Sequence, residues 1–241
     1  MRAGSTLQFQ IAAQLVEEAG LGKRVEWVKP PCFPKLREKY AHYTGWKVFK
    51  SHICMRPMVR EFRRKNALGV YVFRDLRDVF VSATRKDSKS FEQLWEEDYL
   101  DVCLQNFQKW TRLPRVLVSK YEEMIADLPG EVARIAAHLG LSVDRDACER
   151  IASAYSLDQQ LMRIERFKRT SASEQRYTEG PIFDSVTLLH TNHIQSGRSG
   201  EWAQVLSLSQ AGMIEGRARN WLKSHGYEVT NASVSLASGA E

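Results

Sequence analysis

Long apolar runs are missing from this 241-residue chain. No stretch approaches the ~20 residues a membrane helix needs, and no apolar core of a signal peptide is visible. Cysteine is sparse: Cys32, Cys54, Cys103 and Cys148 are scattered, with neither a C-x-x-C pair nor metal-ligand spacing. That pattern predicts free thiols in a reducing, cytoplasmic setting, and no disulfide framework. The six histidines form no H-E-x-x-H or similar cluster, so no metal site is expected. The phosphate loop G-x-x-x-x-G-K-[ST] is absent as well. One dense basic run exists, "REFRRKN" (60–66), and no aromatic residues interleave with base as in a stacking platform. It reads as a solvated helix face, and no nucleic-acid partner is expected.

What remains is an ordinary folded composition, 43% hydrophobic, 27% charged and 10% aromatic. The length fits one α/β domain, expected over 1–228, followed by a small, polar, disordered tail over 229–241. The Asn231-Ala232-Ser233 sequon in that tail is discounted in a protein expected to be intracellular. Lysine and arginine number 35 against 29 acidic residues, a net charge of +6, which suits an anionic ligand.

Periodicity divides the chain into alternating elements. Leu7, Ile11, Ala12, Leu15 and Val16 recur at helical spacing, and Gly20 supplies a left-handed stop. Strands are predicted at 24–30, 46–52, 68–73 and 115–121 from their β-branched and aromatic content. Helices are predicted at 34–45, 57–66, 75–86, 90–113, 127–141, 145–168 and 208–226, with Asp127 as a cap and Gly140 as a stop. Strands alternating with helices imply right-handed crossovers and a parallel sheet between helix layers. The opening "MRAGSTL" is a Gly-Ser-Thr turn at a helix start, which normally follows a buried strand. The expectation is therefore a first strand upstream of Met1, missing from the sequence as given.

Ligands of open parallel sheets bind beyond the carboxyl ends of the strands. At those ends stand Arg2, Gly4, Ser5 and Thr6, then Lys50, Ser51 and His52, then Arg74, and finally Tyr121. Cations, hydroxyls and a histidine gathered in this way suit a polyanion and chemistry upon it. Gly4 lets the backbone approach an anion, and the amides of Ser5 and Thr6 sit at a helix N-terminus. Taken alone, R-x-G-S-T is equally an ordinary helix cap. Arg74 can fork onto a phosphate, with Ser82 two turns further on, or it can form a structural ion pair. Arg77 and Asp78 read as braces of that loop. His52, beside Lys50 at a strand end, is a base candidate near neutral pH.

In order, these segments resemble the sulfotransferases that use 3′-phosphoadenosine 5′-phosphosulfate (PAPS). "MRAGSTL" is similar to their P-K/R-S-G-T/S-T-W/L loop for the 5′-phosphosulfate, and "FKSHIC" to their K-T-H-L-P strand end. "VYVFRDLRDVFVS" is similar to the Y-x-x-R-[ND]-x-[RK]-D-x-x-V-S element, and "LVSKYEEMIADLPGEVARIAAHLGL" to the Y-E-D-L segment. "IQSGRSGEW" is similar to the R-K-G-x-x-G-D-W loop. The resemblance implies a P-loop NTPase-like sulfotransferase fold. It implies Arg2, Ala3, Gly4, Ser5, Thr6 and Leu7 around the 5′ end of the donor, and Arg74 and Ser82 on the 3′-phosphate. Tyr121 falls by the adenine, and Gln195, Ser196 and Gly197 in the closing loop. Departures are Ala3 for a serine, Leu7 where many members stack a tryptophan on adenine, and Gln195 and Ser196 for an Arg-Lys pair. The last implies a loop that meets the 3′-phosphate through backbone alone.

The implied reaction moves a sulfuryl group from PAPS to an acceptor hydroxyl or amine, leaving 3′,5′-adenosine bisphosphate (PAP), with no metal. His52 is the expected base; Lys50 and Arg2 are expected to stabilise charge. Two alternatives stand beside it: a P-loop kinase or nucleotide hydrolase, and a non-catalytic nucleotide-binding protein on the same fold. The acceptor is a small molecule or a carbohydrate, and the oligomeric state is not legible.

Overall fold

The computed structural model describes residues 2–174, 184, 186–192, 194 and 196–230. The chain divides into two compact units: 1–73 with 104–197, and 74–103 with 198–241.

The first unit carries the strands. Helix α1 (Ser5–Glu18) starts at Gly4, whose φ of 88° is left-handed, and stops before Gly20, also left-handed at 66°. Strand β1 (Gly22–Trp27) pairs in parallel with β2 (Trp46–Lys50), with an irregularity between Arg24 and Trp27. Between them the chain forms a short helix, α2 (Phe33–Lys39), with Pro34 in its first turn. Helix α3 (Arg56–Arg63) leads to β3 (Gly69–Phe73), which pairs in parallel, in unbroken register, with β4 (Val116–Lys120). The expected parallel pairing is therefore present, but as two two-stranded sheets: among the described residues no strand pairs with the second edge of β2 or β3.

Helices cover both faces of these strands. On one face, Ile11, Ala12 and Leu15 of α1 meet Val132, Ile135 and Ala136 of α8 (Leu128–His138) and Cys148, Ile151 and Ala152 of α9 (Arg145–Ala154). Val48, Val70 and Leu117 of the strands pack against this cluster. On the other face, Val28, Phe33, Leu36 and Met58 gather Phe49 and Trp110. Strands rich in Val, Phe and Leu with apolar helices on either side are what buried parallel strands require. Asp127 caps α8 by accepting from the Gly130 N–H at 2.9 Å, as its position before the apolar run foretold.

The second unit is helical: α4 (Leu76–Asp87), α5 (Phe91–Glu96), α11 (Trp202–Val205) and α12 (Leu208–Ser224). Phe80 is fully buried, its ring 5.3 Å from Phe91 and 5.5 Å from Tyr99. Capping boxes begin two of these helices, Ser90 with Gln93 and Ser207 with Gln210.

One long helix expected from the sequence is broken in two. The 90–113 helix divides into α5 and α6 (Tyr99–Thr111) because Asp98 adopts a left-handed φ of 53°. Aspartate tolerates that conformation, and nothing in the apolar spacing signals it. The helices expected through 145–168 are α9 and α10 (Leu157–Glu174), separated at Tyr155. A short helix, α7 (Tyr121–Ala126), also precedes α8, where the sequence reading had a strand end and a loop.

Ile135 lies in the middle of the α1–α8–α9 cluster with no exposed surface. Ile135→Ala should cost about 2–5 kcal/mol of unfolding free energy, read as a lower urea midpoint at unchanged slope. A loss well under 1 kcal/mol would mean that this cluster is not the packed core of the unit.

Candidate active site

The turn before α1 is built without room. A Cβ placed on Gly4 would stand 2.9 Å from both Met124 Cε and Tyr121 Cδ2, at a φ few other residues adopt. Ala3, 2% exposed, packs with Val72, Tyr121 and Met124. The turn is thus seated on the carboxyl ends of β3 and β4, which leaves the start of the 14-residue helix α1 facing outward. The first turn of α1 carries no acidic side chain and no side chain caps it. Its free amides and the positive end of the helix dipole suit an anion.

Strand β2 delivers the cation. Lys50, its last residue, is 7% exposed, and its Nζ donates to Thr6 Oγ1 at 2.6 Å. One residue of a strand end and one of the turn are thereby joined across 44 positions of sequence. The strand stops at Lys50, so the alternation that places Lys50 and His52 on one face does not continue. The chain bends at His52 and Ile53 instead. The Trp110 indole donates to the His52 carbonyl at 3.3 Å, which fixes the backbone, while the imidazole lies 6.2 Å from the Trp27 ring. Burial pushes the neighbouring Cys54 thiol up, which makes it a poor nucleophile.

Tyr121 is 9% exposed: its ring bears on Gly4, and its hydroxyl donates to the Gly197 carbonyl at 3.0 Å. Gly197 is itself left-handed, φ 68°, with Leu157 2.7 Å from where a Cβ would stand. Leu7, next to the turn, packs inward against the two clusters around Ile11 and Val72. Arg2 and Ser196 are half-buried, and Gln195 lies outside the described residues.

Beneath the turn is a buried polar cluster that the sequence reading missed. Gln8 Nε2 donates to Ser119 Oγ at 3.1 Å and to Glu131 Oε1 at 3.2 Å. The Ser119 hydroxyl donates to the same carboxylate, and Arg134 pairs with its other oxygen at 2.7 Å. Buried polar atoms satisfied in this way fix α1 against β4 and α8. Only the polar residue at an otherwise apolar helix position hints at it.

In the second unit Arg74, 9% exposed, pairs with Asp78 at 3.2 Å and donates to the carbonyl of Arg198. Asp78 also accepts from the Gly200 N–H at 2.7 Å and the Trp202 N–H at 3.0 Å. Arg77 is held by Asp75 at 2.7 Å and Glu215 at 2.6 Å, its guanidinium 3.7 Å over the Trp202 ring. Arg77 and Asp78 therefore brace the loop, as their spacing suggests. Asp75 caps α4 by accepting from the Arg77 N–H. Ser82 sits half-buried two turns along α4.

The profile of the sulfotransferase domain family matches residues 12–226, and the chain belongs to that family. The matched span opens after the turn at 3–6. Solved structures share the fold. One is retinol dehydratase in complex with androsterone and inactive cofactor PAP, with 19% identity, 96% of this chain and 80% of that chain covered, and a TM-score of 0.59. A complex of retinol dehydratase with retinol and PAP is similar at 19% identity and TM-score 0.58, covering 95% and 80%. The mouse sulfotransferase SULT7A1 complexed with PAP gives 15% identity and TM-score 0.62, covering 92% and 81%.

Asp78 serves one buried cation and two backbone amides at once. Asp78→Ala should lower stability by about 3–5 kcal/mol, because it removes the carboxylate that pairs with a buried arginine. It should also speed amide exchange at Gly200 and Trp202 well beyond any change at Ile135. Equal acceleration everywhere would reduce Asp78 to a general stability residue.

Proposed function

We propose that the protein transfers a sulfuryl group from PAPS to a hydroxyl or amine of a small acceptor. The observation that carries this reading is the Lys50–Thr6 hydrogen bond. It brings the cation at the end of β2 onto an acid-free helix N-terminus, in a chain of the sulfotransferase domain family.

The residues present fit the donor. A turn whose glycine cannot carry a Cβ, amides at Ser5 and Thr6, and a nearly buried lysine make a cradle for a 5′-phosphosulfate. In the second unit Arg74 and Ser82 are the side chains that the resemblance assigns to a 3′-phosphate. When bound, PAPS supplies an activated sulfuryl group and a bisphosphate leaving group. His52 would hold the acceptor hydroxyl and take its proton, and the sulfur–oxygen bond to the bisphosphate would break as the new one forms. Lys50, Arg2 and the amides of Ser5 and Thr6 face the negative charge that grows on the sulfuryl and bridging oxygens. One donor placed in this way is commonly worth ~3–4 kcal/mol.

Around His52 the neighbours are aromatic: Trp27 beside the ring, Trp110 on its carbonyl, and the Phe33–Phe49 pair at 5.6 Å in the cluster below. They favour an apolar alcohol over a carbohydrate, and the androsterone and retinol held by similar structures have that chemistry. No helix among the described residues is long and apolar enough to cross a membrane. With all four cysteines free, we place the protein in the cytoplasm.

The test is transfer of labelled sulfuryl from PAPS to androsterone by wild type and His52→Ala. Loss of the imidazole should lower turnover by about 10²–10⁴-fold and leave PAP binding within a few-fold. Full turnover by the variant removes His52 from the mechanism. Magnesium-dependent ATP turnover, without sulfuryl transfer, would replace the whole reading by a kinase or hydrolase.

A further inference from the structure

Charge is spread unevenly along the chain. Residues 23–66 hold 13 lysines and arginines and three acidic residues, a net charge of +10. The whole chain carries +6, so everything outside this stretch sums to −4. Of the 13, the cradle at the turn uses Lys50 alone. The densest part of the surplus is helix α3, with Arg56, Arg60 and Arg63, and the two residues after it, Arg64 and Lys65.

Helix α3 turns Met58 and Phe62 inward and leaves Arg56, Arg60, Arg63 and Arg64 exposed, at i, i+4, i+7 and i+8. Positions so spaced form one stripe. Glu61, the acidic residue within it, is paired with Arg37 at 3.3 Å. Among the described residues the four arginines and Lys65 pair with no carboxylate. Arg115 donates to the Lys65 carbonyl and brings a further exposed cation to the same end. The stability of the helix does not explain this stripe. Cations in the last turn complement the helix dipole, but Arg56 stands in the first turn, where the dipole opposes it and no acid accompanies it. Arg56 with Arg60, and Arg60 with Arg64, are like charges at i,i+4, which weaken a helix. Such a face suits an array of negative charge outside the molecule.

Exposed apolar side chains beside the stripe select the kind of array. Ile53, three residues ahead of Arg56, is exposed, and so is Trp27, whose ring lies 6.2 Å from the His52 imidazole. Lys29 Nζ stands 5.9 Å over the same Trp27 ring. A basic stripe led by an aliphatic and an indole side chain fits a lipid surface: cations attract anionic headgroups, and tryptophan settles at their boundary. We propose that α3 docks the protein on an anionic bilayer, its arginines on lipid headgroups and Ile53 and Trp27 among them. The surroundings of His52 then face the bilayer, in which an apolar alcohol is dissolved. That last consequence rests on the proposed transfer reaction; the docking does not.

The experiment is co-sedimentation of the full chain with vesicles of phosphatidylcholine, alone or with about 30% phosphatidylserine. Binding should require the anionic lipid and weaken steeply as salt rises. The triple variant Arg60→Ala, Arg63→Ala, Arg64→Ala should bind about 100-fold more weakly. Its melting temperature should be no lower than that of wild type, because like charges are removed. A control triple variant, Arg145→Ala, Arg217→Ala, Lys223→Ala, removes the same charge elsewhere and should bind within a few-fold of wild type. Ile53→Ser should weaken binding about tenfold. Androsterone carried in the vesicles should be sulfated faster from anionic than from neutral ones, and the first triple variant should lose that difference.

No binding to anionic vesicles, or equal binding to neutral ones, would overturn the proposal. An equal loss in the control variant would do the same, by reducing the effect to net charge. Capture by heparin or polyglutamate without binding to vesicles would assign the stripe to a soluble polyanion. Equal sulfation from both kinds of vesicle would overturn the delivery of the acceptor. Docking without any sulfuryl transfer would remove the transferase reading and leave the membrane face standing, because sedimentation does not read activity.

Discussion

A side chain at position 4 would run into Tyr121 and Met124, and that lack of room decides where the first helix begins and what it faces. The turn sits on β3 and β4 through Ala3, and Lys50 reaches it from β2. One four-residue stretch therefore touches the ends of strands from both sheets. Everything the first unit contributes to the site follows from this seating. The helix N-terminus points outward, the lysine is nearly buried beside a hydroxyl, and the histidine stands two residues beyond it. Anchoring below comes from the Gln8–Ser119–Glu131 cluster, whose buried polar atoms have few alternative arrangements.

The second unit solves a different electrostatic problem. Arg74, Arg77, Asp75, Asp78 and Glu215 are all buried, yet each basic group lies against a carboxylate. Burying charge is costly unless it is paired and hydrogen-bonded, so such a cluster tolerates few changes. The arrangement also has a chemical use. Asp78 fixes the backbone at Gly200 and Trp202, and Arg74 fixes the carbonyl of Arg198. A loop held by its backbone does not depend on its side chains for its position.

Much of this was legible in the sequence, for physical reasons that differ by element. Strands β2, β3 and β4 announced themselves through β-branched and aromatic runs, and α8 through its Asp127 cap and apolar spacing. The left-handed glycines at 20 and 140 followed from their places at helix ends. The break at Asp98 was not legible, because an aspartate in the left-handed region leaves no mark on hydrophobic periodicity. Nor was the Lys50–Thr6 bond, at the end of a strand that stops two residues earlier than its composition suggests. Asp78 was read as a brace, but its bonds to Gly200 and Trp202 span more than a hundred residues, and spacing alone cannot show them. Leu7, which the resemblance implies near the donor, packs against the clusters around Ile11 and Val72, contacts that spacing alone does not show.

The account rests on the turn and its partners recognising a nucleotide that carries both a 5′- and a 3′-phosphate. The most direct measurement is a thermal melt of the chain with PAP, beside ADP and AMP at equal concentrations. PAP at about 100 times its dissociation constant should add roughly 2.7 kcal/mol of stability, with ADP and AMP giving clearly less. A cooperative melt that PAP leaves unmoved, or that all three nucleotides shift alike, would contradict it.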